Sequence, residues 1–375
     1  MMPMMFRSAV LCVVGALVAT VGVLVAPTSS AVPAASVAAA SVTFTNYTTG
    51  LGSNTVRGVY AVGDTVYAAT TGGLSISTDG GANFTNYTTG LGSNYVNGVY
   101  AVDDTVYAAT YGGVSISTDG GATFTNYTTG LGSNIVRGVF AVDDTVYAAT
   151  DGGGLSISTD GGATFTNRTT GLGDNTVSGV YAVGATVYAA TDGGLSISTD
   201  GGANFTNYTT GLGSNYVYGV YAVGATVYAA TYGGVSISTD GGATFTNRDT
   251  TNGLDDNRTF GVYAVGATVY AATAGGVSIS TDGGANFTNY TTGLGDNYVF
   301  GVYAVDDTVY AATYGGLSIS TDGGATFTNY TTGLGSNTVR GVYAVGDTVY
   351  AATTGGLSIS TDGGATFTNY TTGLG

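Results

Sequence analysis

The side chains that could carry out acid–base or nucleophilic chemistry are few in type in this chain. All 23 acidic residues are Asp and all seven basic residues are Arg, and the 375 residues include no His, Glu or Lys. The single cysteine, Cys12, lies in an apolar N-terminal segment. Catalytic mechanisms that use His or Lys are therefore excluded, and so are those that use Cys if the N-terminal segment is removed. Asp is the remaining carboxylate for acid–base catalysis.

The aspartates recur in a fixed neighbourhood, Ser-Thr-Asp-Gly-Gly-Ala-(Thr/Asn)-Phe, which occurs eight times at spacings of 40 to 42 residues. A period of about 40 residues is that of a four-stranded β-propeller blade. The aspartates of the eight copies are Asp79, Asp119, Asp160, Asp200, Asp240, Asp282, Asp322 and Asp362.

Most positions of the repeat are constant, and the widest variation falls at three. The first position holds Thr55, Tyr95, Ile135, Thr176, Tyr216, Arg258, Tyr298 and Thr338. The second, two residues later, holds Arg57, Asn97, Arg137, Ser178, Tyr218, Phe260, Phe300 and Arg340. The third holds Thr71, Tyr111, Asp151, Asp192, Tyr232, Ala274, Tyr314 and Thr354.

Each repeat divides into four strand-like runs separated by short Asp- and Gly-rich turns. In the second repeat the runs are Val96–Val102, Thr105–Thr110, Gly113–Ser117 and Phe124–Thr129. Runs such as Gly-Val-Tyr-Ala-Val are apolar on both faces, as expected for strands that lie between neighbouring blades. The sequence predicts an all-β fold, a β-propeller of eight four-stranded antiparallel blades over residues 41–375.

Closure of the ring is open at this level. The segment Phe-Thr-Asn-Tyr-Thr-Thr-Gly-Leu-Gly occurs at 44–52 and again at 367–375, so that eight repeats contain nine candidates for strand four. The N-terminal copy either completes the last blade or forms a surplus edge, or else the reading frame ends within a longer array.

The topology of a blade predicts where the variable positions lie. The loop before strand one and the turn between strands two and three are on the same face of the disc, so all three positions should share that face. Both length changes, near 151–154 and 248–257, also map there. Tyr occupies the first and third positions together in three blades, which predicts contact between them or duplication of whole blades.

The recurring Ser-x-Asp-x-Gly-x-x-Phe resembles the Asp-box, or BNR repeat, of sialidases, sortilin-type receptors, xyloglucan-degrading enzymes and a photosystem assembly factor. The resemblance covers all eight repeats and implies a propeller with the Asp-box at the turn between strands three and four. Phe stands here where Trp is usual. Ser77 and Asp79 can accept backbone N–H groups and Phe84 can pack into the blade, so we expect the eight aspartates to be structural.

An enzyme is the alternative interpretation, as a sialidase- or xyloglucanase-like glycosidase. The resemblance implies for sialidases an arginine cluster, a Tyr–Glu pair and an Asp acid/base, and the absence of Glu rules out that pair. Xyloglucan-type enzymes use paired Asp residues, but a general acid needs one distinctive carboxyl with a raised pKa. Because most Asp here are repeat features, no catalytic residue is assigned.

No metal or cofactor is predicted. Asp-Asp pairs occur at 103–104, 143–144, 255–256 and 306–307, and would suggest calcium. A calcium site needs about six converging oxygen ligands, and sister blades replace the pair with Gly-Ala, so the pairs are interpreted as solvated turns.

The N-terminus has the pattern of an export signal. One positive charge precedes an uninterrupted run of apolar and small residues over 9–25, and Ser29-Ser30-Ala31 fits a cleavage site. The sequence predicts a signal peptide at 1–31 and a linker at 32–40, with an uncleaved anchor as the alternative. The mature chain would then be secreted or at the cell surface and free of cysteine.

These observations predict a non-enzymatic binding propeller, monomeric, that recognises a glycan or a protein through the variable face. Formal net charge of −16 argues against nucleic acid, and no membrane contact beyond the export signal is expected. Aromatic residues mixed with adaptable polar ones resemble a paratope, whereas neutral drift at loop tips is the alternative. The candidate ligand-binding residues are Thr55, Arg57, Tyr95, Asn97, Tyr111, Arg137, Asp151, Asp192, Tyr216, Tyr218, Tyr232, Arg258, Tyr298, Phe300, Tyr314 and Arg340.

Overall fold

The computed structural model describes residues 45–47 and 50–364, which form eight four-stranded antiparallel sheets arranged as the blades of a propeller. The eight-bladed prediction is confirmed. The signal peptide and linker calls, and the C-terminal copy at 367–375, lie outside the described residues.

The first four blades each use four consecutive strands. Blade 1 contains β2 Val56–Val62, β3 Thr65–Thr70, β4 Gly73–Ser77 and β5 Thr85–Tyr87. Blade 2 contains β6 Val96–Val102, β7 Thr105–Thr110, β8 Gly113–Ser117 and β9 Thr125–Tyr127. Blade 3 contains β10 Val136–Val142, β11 Thr145–Thr150, β12 Leu155–Ser158 and β13 Thr166–Arg168. Blade 4 contains β14 Val177–Val183, β15 Thr186–Thr191, β16 Gly194–Ser198 and β17 Thr206–Tyr208.

Blades 5 to 7 repeat this plan, and blade 8 supplies three strands of its own. Blade 5 contains β18 Val217–Val223, β19 Thr226–Thr231, β20 Gly234–Ser238 and β21 Thr246–Arg248, followed by a 3₁₀ turn, Thr250–Asn252. Blade 6 contains β22 Thr259–Val265, β23 Thr268–Thr273, β24 Val277–Ser280 and β25 Thr288–Tyr290. Blade 7 contains β26 Val299–Val305, β27 Thr308–Thr313, β28 Gly316–Ser320 and β29 Thr328–Tyr330, and blade 8 contains β30 Val339–Val345, β31 Thr348–Thr353 and β32 Gly356–Ser360.

The ring closes through the N-terminal copy of strand four. Strand β1, Thr45–Tyr47, pairs antiparallel with β32, with Thr45 opposite Ile359 and Tyr47 opposite Leu357. The last blade therefore has the strand order β1-β32-β31-β30, so that it combines the first and last described strands of the chain. Of the alternatives left open by the sequence, the structure takes the one in which this copy completes the blade.

Strand four is shorter than the sequence predicts. In the second repeat the predicted run from Phe124 to Thr129 becomes Thr125–Tyr127, which pairs with three residues of β8. The chain then turns, since Leu131 N–H donates to the carbonyl of Thr128. Phe124 packs as an anchor outside the ladder and is buried.

Neighbouring blades pack a face of large residues against a face of small ones. In blade 8 the large face includes Tyr350, Leu357 and Ile359, and it meets Val59 and Ala68 of blade 1 in one buried cluster. The same arrangement recurs around the ring. Alternation along each strand separates the two faces, and full burial of a side chain such as Leu357 contributes roughly 1.5–3 kcal/mol.

A closed circle of eight aromatic rings surrounds the axis, one from the innermost strand of each blade. Neighbouring ring centroids are 5.1 to 5.9 Å apart all the way round, including the step from blade 8 back to blade 1. The members are Tyr60, Tyr100, Phe140, Tyr181, Tyr221, Tyr263, Tyr303 and Tyr343. Burial raises the pKa of Tyr60, Tyr100, Tyr181 and Tyr343 above the ordinary value of tyrosine.

Candidate binding face

The first and third variable positions are joined by a backbone hydrogen bond in all eight blades. The N–H of the third residue donates to the carbonyl of the first at 2.9 to 3.3 Å, as from Tyr111 to Tyr95 and from Asp151 to Ile135. The loop before strand one and the turn between strands two and three thus lie side by side, as the topology predicts. We call this side of the disc the variable face.

The opposite side is defined in the same way. The turn between strands one and two and the turn that carries the repeated Asp are joined by a backbone hydrogen bond in every blade, for example from Gly80 N–H to the carbonyl of Asp64 at 2.8 Å. We call this side the constant face, and the Ser-Thr-Asp-Gly-Gly-Ala segment that it carries the aspartate turn.

In blades 1, 2, 5, 6 and 7 the side chain at the second position contacts the next blade. In each blade the register between strands one and two shifts at this residue, as between Val56 and Gly58. Such a bulge re-aims the side chain. Asn97 accordingly donates from Nδ2 to the carbonyl of Val136 in blade 3 at 2.7 Å.

An aromatic crescent covers blades 5 to 7 of the variable face. Ring centroids are 6.0 Å apart from Tyr216 to Tyr218, 5.6 Å from there to Phe260, 4.8 Å on to Tyr298 and 4.9 Å to Tyr314. Phe260 bridges blades 6 and 7 although it was not among the predicted ligand residues. Its place at the second variable position was the signal that could have included it.

Exposure within the crescent is concentrated at the third position. Tyr232 is 53 % exposed and Tyr314 45 %, whereas Tyr216, Tyr218 and Tyr298 are half-buried. Tyr314 packs against the half-buried Tyr298, and the backbone N–H of Tyr232 donates to the carbonyl of the half-buried Tyr216.

Phe300 corrects the predicted set of contact residues. It is 5 % exposed, and it lies beneath Tyr314 with ring centroids 4.6 Å apart and beneath the guanidinium of Arg340 at 4.8 Å. Its bulged position directs the ring inward. Phe300 therefore supports the face from below and does not form part of its contact surface.

Blade 2 carries a second aromatic element. The rings of Tyr95 and Tyr111 are 4.2 Å apart, and Tyr111 is 44 % exposed. The predicted contact between tyrosines at the first and third positions is thus seen in blades 2 and 7. Asn97 is occupied by its hydrogen bond to the next blade, so it has less capacity for a ligand than the sequence suggests.

Four arginines lie on the variable face, and two of them have a carboxylate partner. Arg137 pairs with Asp151 at 2.8 Å, and Arg258 pairs with Asp256 at 3.2 Å. Arg57 stacks on Tyr95, with its guanidinium carbon 4.4 Å from the ring centroid, and its terminal nitrogen contacts the Tyr95 hydroxyl. Neither Arg57 nor Arg340 pairs with a carboxylate among the described residues.

The remaining candidates lie in blades 1 and 4 and in the two length changes. Thr55 and Asp192 are half-buried on the variable face. The extra glycine lies next to Asp151, in the turn that carries the Arg137 partner. The expansion near Arg258 forms the 3₁₀ turn Thr250–Asn252, capped by the side chain of Asp249. All of the predicted positions are therefore on one face, but they form a crescent and separate charged groups rather than one pocket.

The eight aspartate turns are closed by their own hydrogen bonds. The Asp119 carboxylate accepts from the Ser117 hydroxyl at 2.6 Å and from the backbone and side chain of Thr123, and Ser117 Oγ accepts from Gly121 N–H at 2.8 Å. These donors lower the pKa of Asp119 to about 2. The same Ser–Asp and Ser–Gly hydrogen bonds recur in the other seven blades, so each turn is held by its own side chains.

The constant face carries many aspartates on its turns and exposed valines closer to the axis. The aspartate turns contribute one Asp per blade, and the turns between strands one and two add further Asp in five consecutive blades, 7, 8, 1, 2 and 3. Closer to the axis, Val62, Val183 and Val223 are 43 % to 50 % exposed. Asp103, Asp143 and Asp306 adopt a left-handed conformation, with φ of 50° to 51°, where the other five blades have Gly; a short polar side chain tolerates this conformation better than most.

The pKa shifts seen among the described aspartates are opposite in direction to the one that a glycosidase acid needs. Every aspartate with a shifted pKa has it lowered, including Asp256, where hydrogen bonds from Arg258 outweigh burial. The described residues contain no cluster of three or more potential metal-ligating side chains. In the same part of the chain, no helix has the length and apolar character needed to cross a membrane.

Comparison with known proteins places the chain by fold alone. No family model and no curated protein matches the sequence. The computationally designed Ika8 protein superposes with a TM-score of 0.66 at 10 % identity, over 85 % of this chain and 98 % of the designed one. YCF48 from Cyanidioschyzon merolae gives 0.57 at 15 % identity, over 85 % and 98 %.

An ancestral GH74 enzyme gives a TM-score of 0.57 at 17 % identity, and the match covers 87 % of this chain and 55 % of the enzyme. The chain thus spans about half the length of that enzyme. The neighbours are compatible with the Asp-box resemblance, and at these identities they establish a propeller and no particular activity.

Proposed function

We propose that this protein is a secreted or cell-surface binding propeller that recognises a glycan or a protein through its variable face and has no catalytic activity. The observation that carries the proposal is the aromatic crescent, which runs unbroken across blades 5 to 7 with Tyr232 and Tyr314 exposed at its edge. Exposed aromatic side chains are a liability for solubility unless they bind something.

The contrast between the two faces supports recognition over drift. Loop tips on both faces are exposed and equally free to vary, yet aromatic and arginine substitutions accumulate on one of them. Rigid aromatic rings beside Arg, Asn and Thr are the composition of recognition surfaces. Secretion follows from the predicted export signal.

The glycosidase alternative has less support. A retaining or inverting enzyme requires an acid with a raised pKa facing a second carboxylate. On the variable face, Asp151 and Asp256 are instead bound to arginines, and the aspartate-turn carboxylates are held ionised by their own donors.

The test is a screen of glycans and surface proteins against three forms of the chain. The first variant changes the exposed tyrosines of the variable face, Tyr111, Tyr232 and Tyr314, to Ser. The control changes three exposed residues of the constant face, Val62, Val183 and Val223, to Ser. We expect binding by the parent and the control, and a loss of about tenfold or more in the tyrosine variant, since anchor side chains dominate such interfaces.

A wider variant with Tyr95, Tyr216 and Tyr298 also changed to Ser should remove binding altogether, with the fold checked by circular dichroism. If the parent binds nothing, or if parent and tyrosine variants bind alike, the proposed function is wrong and the aromatic crescent is a product of blade duplication.

A further inference from the structure

Between blade 7 and blade 2, where the ring closes, the variable face has no aromatic side chain at its first and third positions. Blade 7 ends the crescent with tyrosines, blade 2 begins again with tyrosines, and blades 8 and 1 between them carry threonines at the first and third positions. These are short hydroxyl-bearing side chains, two of which bond to neighbouring serines at 2.7 Å. We call the group of short side chains formed by Thr55, Thr71, Thr338 and Thr354 the seam notch.

Two guanidinium groups flank the seam notch. Arg340 of blade 8 lies on the ring of Phe300 in blade 7, and Arg57 of blade 1 lies on the ring of Tyr95 in blade 2. Burial lowers the pKa of Arg57; the nearby Tyr111 opposes that effect and the charge of Arg340 adds to it. Two like charges are thus held near each other, half-buried, and stacking fixes each of them in place.

Blade 3 shows what these arginines lack. Arg137 occupies the same repeat position as Arg57 and Arg340, and its own blade supplies a carboxylate, Asp151, at the third position. In blades 1 and 8 that third position is threonine. The arginine at this position therefore has a carboxylate partner in blade 3, and among the described residues it has none in the adjacent blades 8 and 1. Half-buried like charges without a counterion are unfavourable, so an external anion would stabilise the seam.

We propose that Arg57 and Arg340 form an anion-binding subsite at the seam notch, and that its ligand is the carboxylate of an acidic, uronate-type glycan. The inference rests on the proposed function, since it names the ligand class for the same face. A guanidinium binds a carboxylate in bidentate geometry.

The lining of the notch favours a sugar over an acidic peptide. The threonines of the notch carry hydroxyl groups, two of them bonded to serines, and the exposed tyrosines Tyr314 and Tyr111 belong to the blades on either side. A pyranose ring presents the complementary surface, with hydroxyl groups at its edge and flat C–H faces. The formal net charge of −16 opposes non-specific attraction of any polyanion, so binding of an acidic polymer must come from a local cationic site.

The experiment measures binding of an oligogalacturonate to the full chain by calorimetry, beside the same oligomer with its carboxyl groups reduced to alcohols. Sulfated oligosaccharide and poly-glutamate serve as two further arms. We expect the parent to bind the oligogalacturonate at least about tenfold more tightly than the reduced oligomer or poly-glutamate, since a charged hydrogen bond is stronger than a neutral one.

Two variants test the arginines. The first, R57Q with R340Q, should lose about tenfold or more in affinity, consistent with the loss of charged hydrogen bonds. Its control is R168Q with R248Q, which makes the same change of charge at the last residue of strand four in blades 3 and 5, where Arg248 donates to the Gly284 carbonyl of an aspartate turn on the constant face; this variant should bind like the parent.

The second variant, T71D with T354D, introduces into blades 1 and 8 the carboxylate that blade 3 already has. It should abolish binding by occupying both guanidiniums. Asp192 shows that a turn of this length accepts Asp at the third position, so the fold should be retained.

The outcomes separate the two proposals. No binding of oligogalacturonate by the parent, equal binding of the reduced oligomer, or full binding by R57Q with R340Q overturns the anion subsite. A preference for the sulfated oligosaccharide overturns the carboxylate assignment, and a preference for poly-glutamate overturns the glycan. Binding of some other ligand that is lost in the tyrosine variants but kept in the arginine variants leaves the proposed function standing without the subsite.

Discussion

At the scale of single residues, the serine of the aspartate turn is the best-determined polar group in the repeat. Ser117 is 1 % exposed, and its Oγ accepts from Gly121 N–H while its hydroxyl donates to Asp119. A buried N–H that loses its partner costs about 1–3 kcal/mol. The turn therefore needs the hydroxyl as much as the carboxylate for which the motif is usually noted.

Replacing Ser117 by Ala should lower the free energy of unfolding by about 1–3 kcal/mol, because it leaves the Gly121 N–H without an acceptor. Chemical denaturation measures this. Thr118→Ala, at the exposed neighbouring position, is the matched control and should stay within about 0.5 kcal/mol of the parent. Equal effects of the two changes would contradict the assigned role.

At the scale of elements, neighbouring blades pack because a face of large side chains on one blade meets a face of small side chains on the next. Gly121 of blade 2 touches the Ile76 side chain of blade 1, and a Cβ at that position would collide with it. Gly120, the preceding residue, also has a positive φ but faces open space. Gly120 is therefore needed only for its backbone conformation, whereas Gly121 is needed for its backbone conformation and for the absence of a side chain.

Gly120→Ala should destabilise the protein by about 1–2 kcal/mol, the cost of a left-handed conformation for a residue with a Cβ. Gly121→Ala should cost more, because the end of the Ile76 side chain must also move to make room for the added methyl group. Thermal unfolding midpoints of the two variants measure the difference. If Gly120→Ala is the more damaging, blade-to-blade contact at the aspartate turn is less tight than the structure indicates.

At the scale of the whole molecule, charge and aromatic residues are arranged about the axis rather than spread evenly. The constant face carries Asp in every blade, and the variable face carries Arg57 and Arg340 at the closing seam. The circle of tyrosines lies between the two faces. The free energy of unfolding should therefore decrease both at low pH and at high pH.

On the acid side, the aspartate-turn carboxylates have a pKa of about 2 in the folded chain, below about 3.9 in an unfolded one. Their contribution is complete above about pH 4 and is lost as the pH falls toward 2. On the alkaline side, burial raises the pKa of ring tyrosines such as Tyr60 and Tyr343. Their contribution is complete below about pH 10 and is lost as the pH rises.

The Tm measured against pH should accordingly be flat between about pH 5 and 9 and fall on either side. Tyrosinate absorbance should increase together with unfolding at the alkaline end. A constant Tm down to pH 2 would show that the hydrogen bonds of the aspartate turn do not persist in solution.

The sequence by itself determined the features that repeat. The 40-residue period, the two-residue turns and the apolar runs specify a blade, because each depends on contacts within one repeat. The position of Tyr95 beside Tyr111 was predictable for the same reason: strand order alone places the two turns together. The hydrogen bonding of Asp79 and its sister residues was also predictable, because Asp79, Ser77 and the backbone N–H groups that they accept from all belong to one turn.

Only the tertiary structure decided what depends on neighbouring blades. The second variable position meets residues about 40 positions away, so the burial of Phe300 and the bridging role of Phe260 could not be inferred from one repeat. Pairing of Arg137 and isolation of Arg57 and Arg340 depend on which side chain stands across a turn in each blade. Closure by β1 was likewise undetermined, because identical copies of strand four carry no information about which sheet edge they fill.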